Sequence, residues 1–190
     1  MQIDEDTMTE ELSGRVLAVL IARGTDHIRS ELLDEVDVTL EGFIGDKHSG
    51  WTKPSDGRTK FYPRGTTIRN SRQVSIISQE ETSAIAADLG LKSILPEWMG
   101  ANLLLKGIQD LSVLKPNSRM FFESGAVLLI TEKNNPCSTL STEIGSHYPD
   151  KPELKERIVK CSLGRRGVVA VVELSGKIKK GDTVRVISAQ

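Results

Sequence analysis

The stretch "GVVAVVELSGKIKKGDTVRVIS", residues 167–188, decides the fold class. Its valines and isoleucines are stiff at χ1 and fit a pleated surface, and Gly176 and Gly181 fall between the apolar runs. It reads as a strand, a glycine-containing turn, a short strand and a final strand. Working outward, the same signature recurs. "AVLLIT" (126–131), "SRMFF" (118–122), "ANLLLKG" (101–107) and "RQVSIIS" (72–78) are short apolar runs separated by turn residues. Further upstream, "EVDVTLEG" (35–42) alternates apolar and polar up to Gly42, and "GRVLAVLIA" (14–22) follows a glycine.

Helices are few. Ser78 and Glu81 form an S-x-x-E capping box ahead of "ETSAIAADLG", where Gly90 is a stop signal. "PELKERIVKCSL" (152–163) has an early proline and apolar residues at helical spacing, and a short helix is expected to start in "STLSTEIGSHY" after Cys137. Residues 1–12 read as a flexible acidic tail, and 13–190 as one domain. The expected fold is mainly β with a few helices: a mostly antiparallel sheet or barrel, with helices and long loops at its rim. From Gly42 to Arg69 no period is sustained. A segment that long, holding Trp51, Phe61 and Tyr62, is read as an ordered functional loop.

Composition removes several classes of function. A formal net charge of −1 points to neither nucleic acid nor an anionic membrane. No apolar run approaches the roughly 20 residues of a spanning helix. The acidic start "MQIDEDTMTEELSG" is not a basic and apolar leader, so a reducing cytoplasm with two free thiols is expected.

Three constellations carry chemistry. "GFIGDKH" (42–48) places Gly45, Asp46 and His48 together, either an ordinary glycine-rich turn with a surface histidine or a site where glycines permit close approach and the polar pair orients a ligand. Arg64, Arg69, Arg72, Arg165 and Arg166 recur at loop and strand edges, with glycines beside them in "PRGT" and "LGRRGV", where guanidinium groups either grip an anion or lie solvated on the surface. Cys137 follows "NNP" on a loop past the strand at 126–131. That position suits a thiolate used for attack or ligation better than a space-filling residue. Cys161, within the pattern at 152–163, reads as a small buried hydrophobe. His27 and His147 have no ligand spacing relative to His48.

In order and spacing, "GFIGDKH", "RQVSI", "GANLLLKG", "NNPC" and "GRRGVVAVVELSGKIKKGDTV" resemble the MOSC domain, named for the molybdenum cofactor sulfurase C-terminus. The similarity runs over about residues 14–188, as in a stand-alone member. Two departures stand out: Ala101 precedes Asn102 where members often carry an acid, and "GDKH" stands for the commoner "GDRH". The resemblance implies a β-barrel-like core with a cleft at one end, and a family cysteine matching Cys137. It further implies the pyranopterin molybdenum cofactor, with Cys137 as thiolate ligand of molybdenum. Gly45, Asp46, His48, Arg64, Arg72, Asn102, Arg165 and Arg166 are then the expected cofactor-binding residues. The implied activity is a small oxidoreductase reducing N-hydroxylated compounds. The alternatives are a sulfur carrier holding a persulfide on Cys137 for metal–sulfur cofactor assembly, or a non-catalytic cofactor-binding module. Two cysteines leave no set of ligands for an iron–sulfur cluster. The chain has no room for a pyridoxal-phosphate desulfurase domain, so a separate sulfur donor (a cysteine desulfurase) or electron-donor protein is the expected partner, beside a small-molecule substrate.

Overall fold

The structure, a computed structural model, describes residues 11–24 and 26–189. Its centre is a closed barrel of seven strands: β1 (Glu11–Ile21), β7 (Val74–Ser78), β8 (Leu103–Lys106), β9 (Arg119–Phe122), β10 (Val127–Lys133), β11 (Val168–Leu174) and β13 (Thr183–Ile187). The order is β13-β9-β10-β11-β7-β8-β1, and β1 closes the ring by pairing antiparallel with β13 from Glu11↔Ile187 to Arg15↔Thr183. Only β7 and β8 run parallel. A parallel pair needs a crossover, and α1 (Gln79–Leu89) supplies it.

Alternation along each strand fills the barrel. Val74 and Ile76, Val168 and Ala170, Leu128 and Ile130, and Val184 and Val186 all join one buried apolar cluster. A register shift between Val16 and Ala18 changes the phase of β1, so Val16, Val19 and Ile21 point inward while Ala18 and Leu20 point outward. The outward set packs under α1, α2 (Ser138–Ser146) and α3 (Leu154–Ser162) as a second apolar cluster. No helix among the described residues is long and apolar enough to cross a membrane.

The expected helices and strands are present, with local differences. Of the expected tail at 1–12, Glu11 and Leu12 open β1, while residues 1–10 lie outside the described residues. The run at 35–42 is a hairpin rather than one strand. β3 (Glu35–Thr39) turns back into β4 (Gly42–Phe43), and β12 (Gly176–Lys179) pairs with the other side of β3. β2 (Glu31–Leu33) adds to the edge of β1. The aperiodic segment from 42 to 69 contains a two-stranded ribbon, β5 (Thr52–Pro54) and β6 (Thr67–Arg69). Ser55, buried between them, donates to the Pro63 carbonyl and accepts from the Thr66 N–H, fixing the tip.

Candidate functional site

A cleft of about 870 Å³ lies on the flank of the barrel. Its floor includes Ser75 and Val169, the outward-facing neighbours of the interior residues Val74, Ile76, Val168 and Ala170. A small barrel filled by its own side chains leaves no space in its mouth, which is why the cleft is on the wall rather than at the end implied by the resemblance. The segment 26–28, the turn 47–49, the β5–β6 ribbon and the start of α2 form its walls.

Beneath the cleft runs a continuous hydrogen-bonded seam. Asp46 is buried and accepts from the Ala22 N–H (2.7 Å), the His48 N–H (2.7 Å) and the Asn102 side chain (2.7 Å), and its other ring contact is His48 Nδ1 at 2.8 Å. Asn102 in turn accepts from the Ser75 N–H at 2.9 Å. Ser75 Oγ accepts from Asn134 Nδ2 at 3.1 Å. Asn134 Oδ1 then accepts from both Arg72 Nη2 and Arg166 Nη1, each at 2.7 Å. Burial alone would raise the Asp46 carboxyl. The His48 side chain and the Ala22 and His48 amides outweigh it and hold the group below its ordinary value. Asp46 is therefore a structural anion that aims His48 at the cleft.

Cys137 is the N-cap residue of α2 and is half-buried on the cleft wall. Burial disfavours its thiolate. The Leu140 amide, the Arg166 guanidinium, the Thr139 hydroxyl and Arg58 together more than compensate, so the thiol lies below its ordinary value. The far end of α2 is anchored where His147 stacks on Trp98 at 3.9 Å and meets Glu143 at 3.0 Å, which fixes the helix that presents the sulfur. Arg166 is buried, and burial pushes its guanidinium down to about 10. The Cys137 sulfur opposes that shift, and Arg58 and Arg72 add to it. It remains a cation at neutral pH.

The structure brings Cys137, His48, Arg64, Arg72, Asn102 and Arg166 to one cleft, with Asp46 directly behind it. Two expected residues stand elsewhere. Arg165, in the turn after α3 where its N–H donates to the Ser162 carbonyl, turns away to Asp88 (2.5 Å) and the Cys161 carbonyl (2.7 Å). Gly45 does not line the cleft; it has φ of 85° and makes the turn that positions Asp46. Ala101 is buried in the apolar cluster under the helices, so its lack of charge is matched to its surroundings. Cys161 is half-buried against that same cluster rather than fully enclosed.

Sequence reading missed Lys47, Lys53 and Arg58 on the cleft walls and Asn134 in its floor. The "NNPC" run was the available signal for Asn134, but a turn asparagine and a buried hub look alike in one dimension. With these residues the cleft carries Lys47, Lys53, Arg58, Arg64, Arg72 and Arg166 against Asp26 and Asp56. The excess of cations, a low thiol and an oriented imidazole suit an anionic ligand that is also bonded through sulfur. Among the described residues no three His, Cys, Asp or Glu side chains converge on a metal position. A metal at Cys137 would need ligands that arrive with a cofactor.

A family model described as the MOSC domain matches residues 63–185. A putative metal-sulfur cluster biosynthesis protein, YuaD of Bacillus subtilis (strain 168), is 40% identical over 183 residues, covering 96% of this chain and 95% of YuaD. The crystal structure of YuaD superposes with a TM-score of 0.93 over 96% of this chain and 100% of that one. YiiM from Escherichia coli has the same fold at a TM-score of 0.57 and 16% identity, over 93% of this chain and 71% of YiiM. The model matches most of the chain, YuaD matches nearly all of it, and the chain belongs to the MOSC domain family.

Proposed function

We propose that the cleft binds the pyranopterin molybdenum cofactor with Cys137 as its thiolate ligand, and that the protein reduces N-hydroxylated compounds with electrons from a separate donor protein. One observation carries the reading: a free thiol held below its ordinary pKa faces a cleft with a surplus of cations. Among the described residues Arg166 Nε is buried without a partner, a donor left over for an incoming acceptor. The bound cofactor would supply the redox centre. The chain's own residues would do the rest. Arg64, Arg72 and Arg166 would hold the phosphate, and Arg166 would favour the thiolate form of Cys137. His48, its Nδ1–H donated to the Asp46 carboxylate, would present the Nε2 lone pair to the substrate side as a proton acceptor, and the β5–β6 ribbon would limit water. Phe61 at the ribbon tip is 93% exposed, so the ribbon stands clear of the body as a wall of the entrance.

A second reading is favoured by the name of the Bacillus subtilis relative, which refers to metal–sulfur cluster biosynthesis. In that role the Cys137 thiolate attacks the outer sulfur of a donor protein's cysteine persulfide. A persulfide forms on Cys137, and the donor leaves as its thiolate.

The test is the protein purified from cells grown with molybdate, beside Cys137→Ser and Cys161→Ser. Metal analysis, pterin fluorescence after oxidation, intact mass and amidoxime reduction with reduced viologen are measured. The first reading expects molybdenum and pterin near one per chain and turnover, all lost in Cys137→Ser and kept in Cys161→Ser. A persulfide on Cys137 without molybdenum selects the sulfur carrier. Cofactor without turnover leaves a binding module.

A further inference from the structure

The junction of Arg72, Arg166 and Asn134 is unusual in its charge. Two guanidinium groups from distant parts of the chain meet on one buried oxygen, each at 2.7 Å. A carboxylate is the ordinary partner for such a pair, because it neutralises both and accepts bidentate bonds. Here the acceptor is a neutral amide, on a residue only 2% exposed. Its orientation is set from behind: Nδ2 donates to Ser75 Oγ, and the Asn134 N–H donates to the Gly167 carbonyl at 3.0 Å. The oxygen therefore faces the arginines.

The charges it gathers are only partly met elsewhere. Arg166 Nη2 donates to the Met99 carbonyl at 3.1 Å, and its Nε has no partner among the described residues. Cys137 acts on it as a group of opposite charge. Arg72 Nη1 meets Glu132 at 2.9 Å, and that carboxylate is about half exposed and stands outside the cleft lining.

We infer that Asn134 is a positioning residue: its uncharged amide holds Arg72 and Arg166 side by side without neutralising them, so both remain available to an oxyanion group of the ligand. The inference deepens the proposed anionic-cofactor site and rests on that reading. A carboxylate of the same shape at this position would keep the geometry and cancel the charge. Leaving the pair only partly compensated in the free protein is what makes the site receptive to an anionic group.

Two isosteric variants separate position from charge, with inorganic phosphate as the probe, followed by titration calorimetry and by the thermal midpoint. Asn134→Asp is expected to keep or raise the midpoint without phosphate, and to weaken phosphate binding by about tenfold or more, the scale of one charge-assisted hydrogen bond. Glu132→Gln releases Arg72 from its exposed partner and is expected to tighten phosphate binding about two- to threefold. The surface variant carries the test should the buried one fail to fold. Stability and affinity moving in opposite directions in Asn134→Asp is the signature that a merely structural asparagine does not give. Unchanged phosphate affinity in Asn134→Asp, or no gain in Glu132→Gln, would overturn the inference alone. Wild-type protein with no phosphate affinity would overturn the anion cleft along with it.

Discussion

Asp46 shows how one side chain ties the fold to the site. Its carboxylate caps the end of β1 at Ala22, crosses to Asn102 before β8 and aims His48. A carboxyl depressed below its unfolded value stabilises the fold above the ordinary carboxylate range. That contribution is lost as pH falls through its own lower value. Asp46→Asn is expected to lose about 2–3 kcal/mol at neutral pH, since an amide nitrogen would confront donors already in place. The gap to wild type should narrow as pH drops from about 5 toward 2, read from denaturant midpoints across that range. A gap independent of pH would mean that the ionised form carries none of the difference. At this scale the sequence is legible where a role is local: "GDKH" is a turn with its acid and histidine two apart, and the structure keeps them together. Asn134 was not legible because its role depends on Arg72 and Arg166, which only the barrel brings to it. Arg165 and Arg166 are equivalent as letters, and only the fold shows that Arg165 meets Asp88 while Arg166 turns in to Asn134.

Elements were read correctly where their boundaries are signalled by neighbouring residues. Ser78 caps α1 by accepting from the Glu81 N–H at 3.1 Å, and Gly90 ends the helix at φ 66°. The box is only half made, however. The Glu81 carboxylate reaches instead to the N–H and hydroxyl of Ser112, whose oxygen also accepts from the Gly167 N–H. Burial raises the Glu81 carboxyl despite those bonds. The β5–β6 ribbon escaped notice because Pro54, Gly65 and several lysines and arginines break any alternation, and a largely solvated ribbon has no apolar face to reveal. Gly167 is the element-scale constraint closest to the site. It has φ of 77°, and a Cβ there would sit 1.9 Å from the Ile76 carbonyl oxygen. Gly167→Ala is expected to cost about 3 kcal/mol or more, by forcing β11 away from β7 or the backbone into strain. Urea denaturation reads that cost. A loss within experimental error would show that the β7–β11 seam yields easily.

The whole molecule depends on β13. It pairs with β1 on one side and β9 on the other, so it is the stave that turns an open sheet into a barrel. A chain ending at Asp182 is expected to show no cooperative thermal transition and no near-ultraviolet dichroism, because both neighbours would be left as open edges around an exposed core. A sharp transition in that variant would show that six strands suffice. The valine-rich run at 167–188 made a mainly β fold legible, while the barrel-like core came with the family resemblance, since pairing between β1 and β13 leaves no periodic trace in either. The same seam sets a clock on the protein's birth. On the ribosome β1 emerges first and must wait for its partner until residue 187 has been polymerised. The proposed cofactor or sulfur would therefore meet a finished cleft only after synthesis has passed that point, and loading is expected to be post-translational rather than nascent.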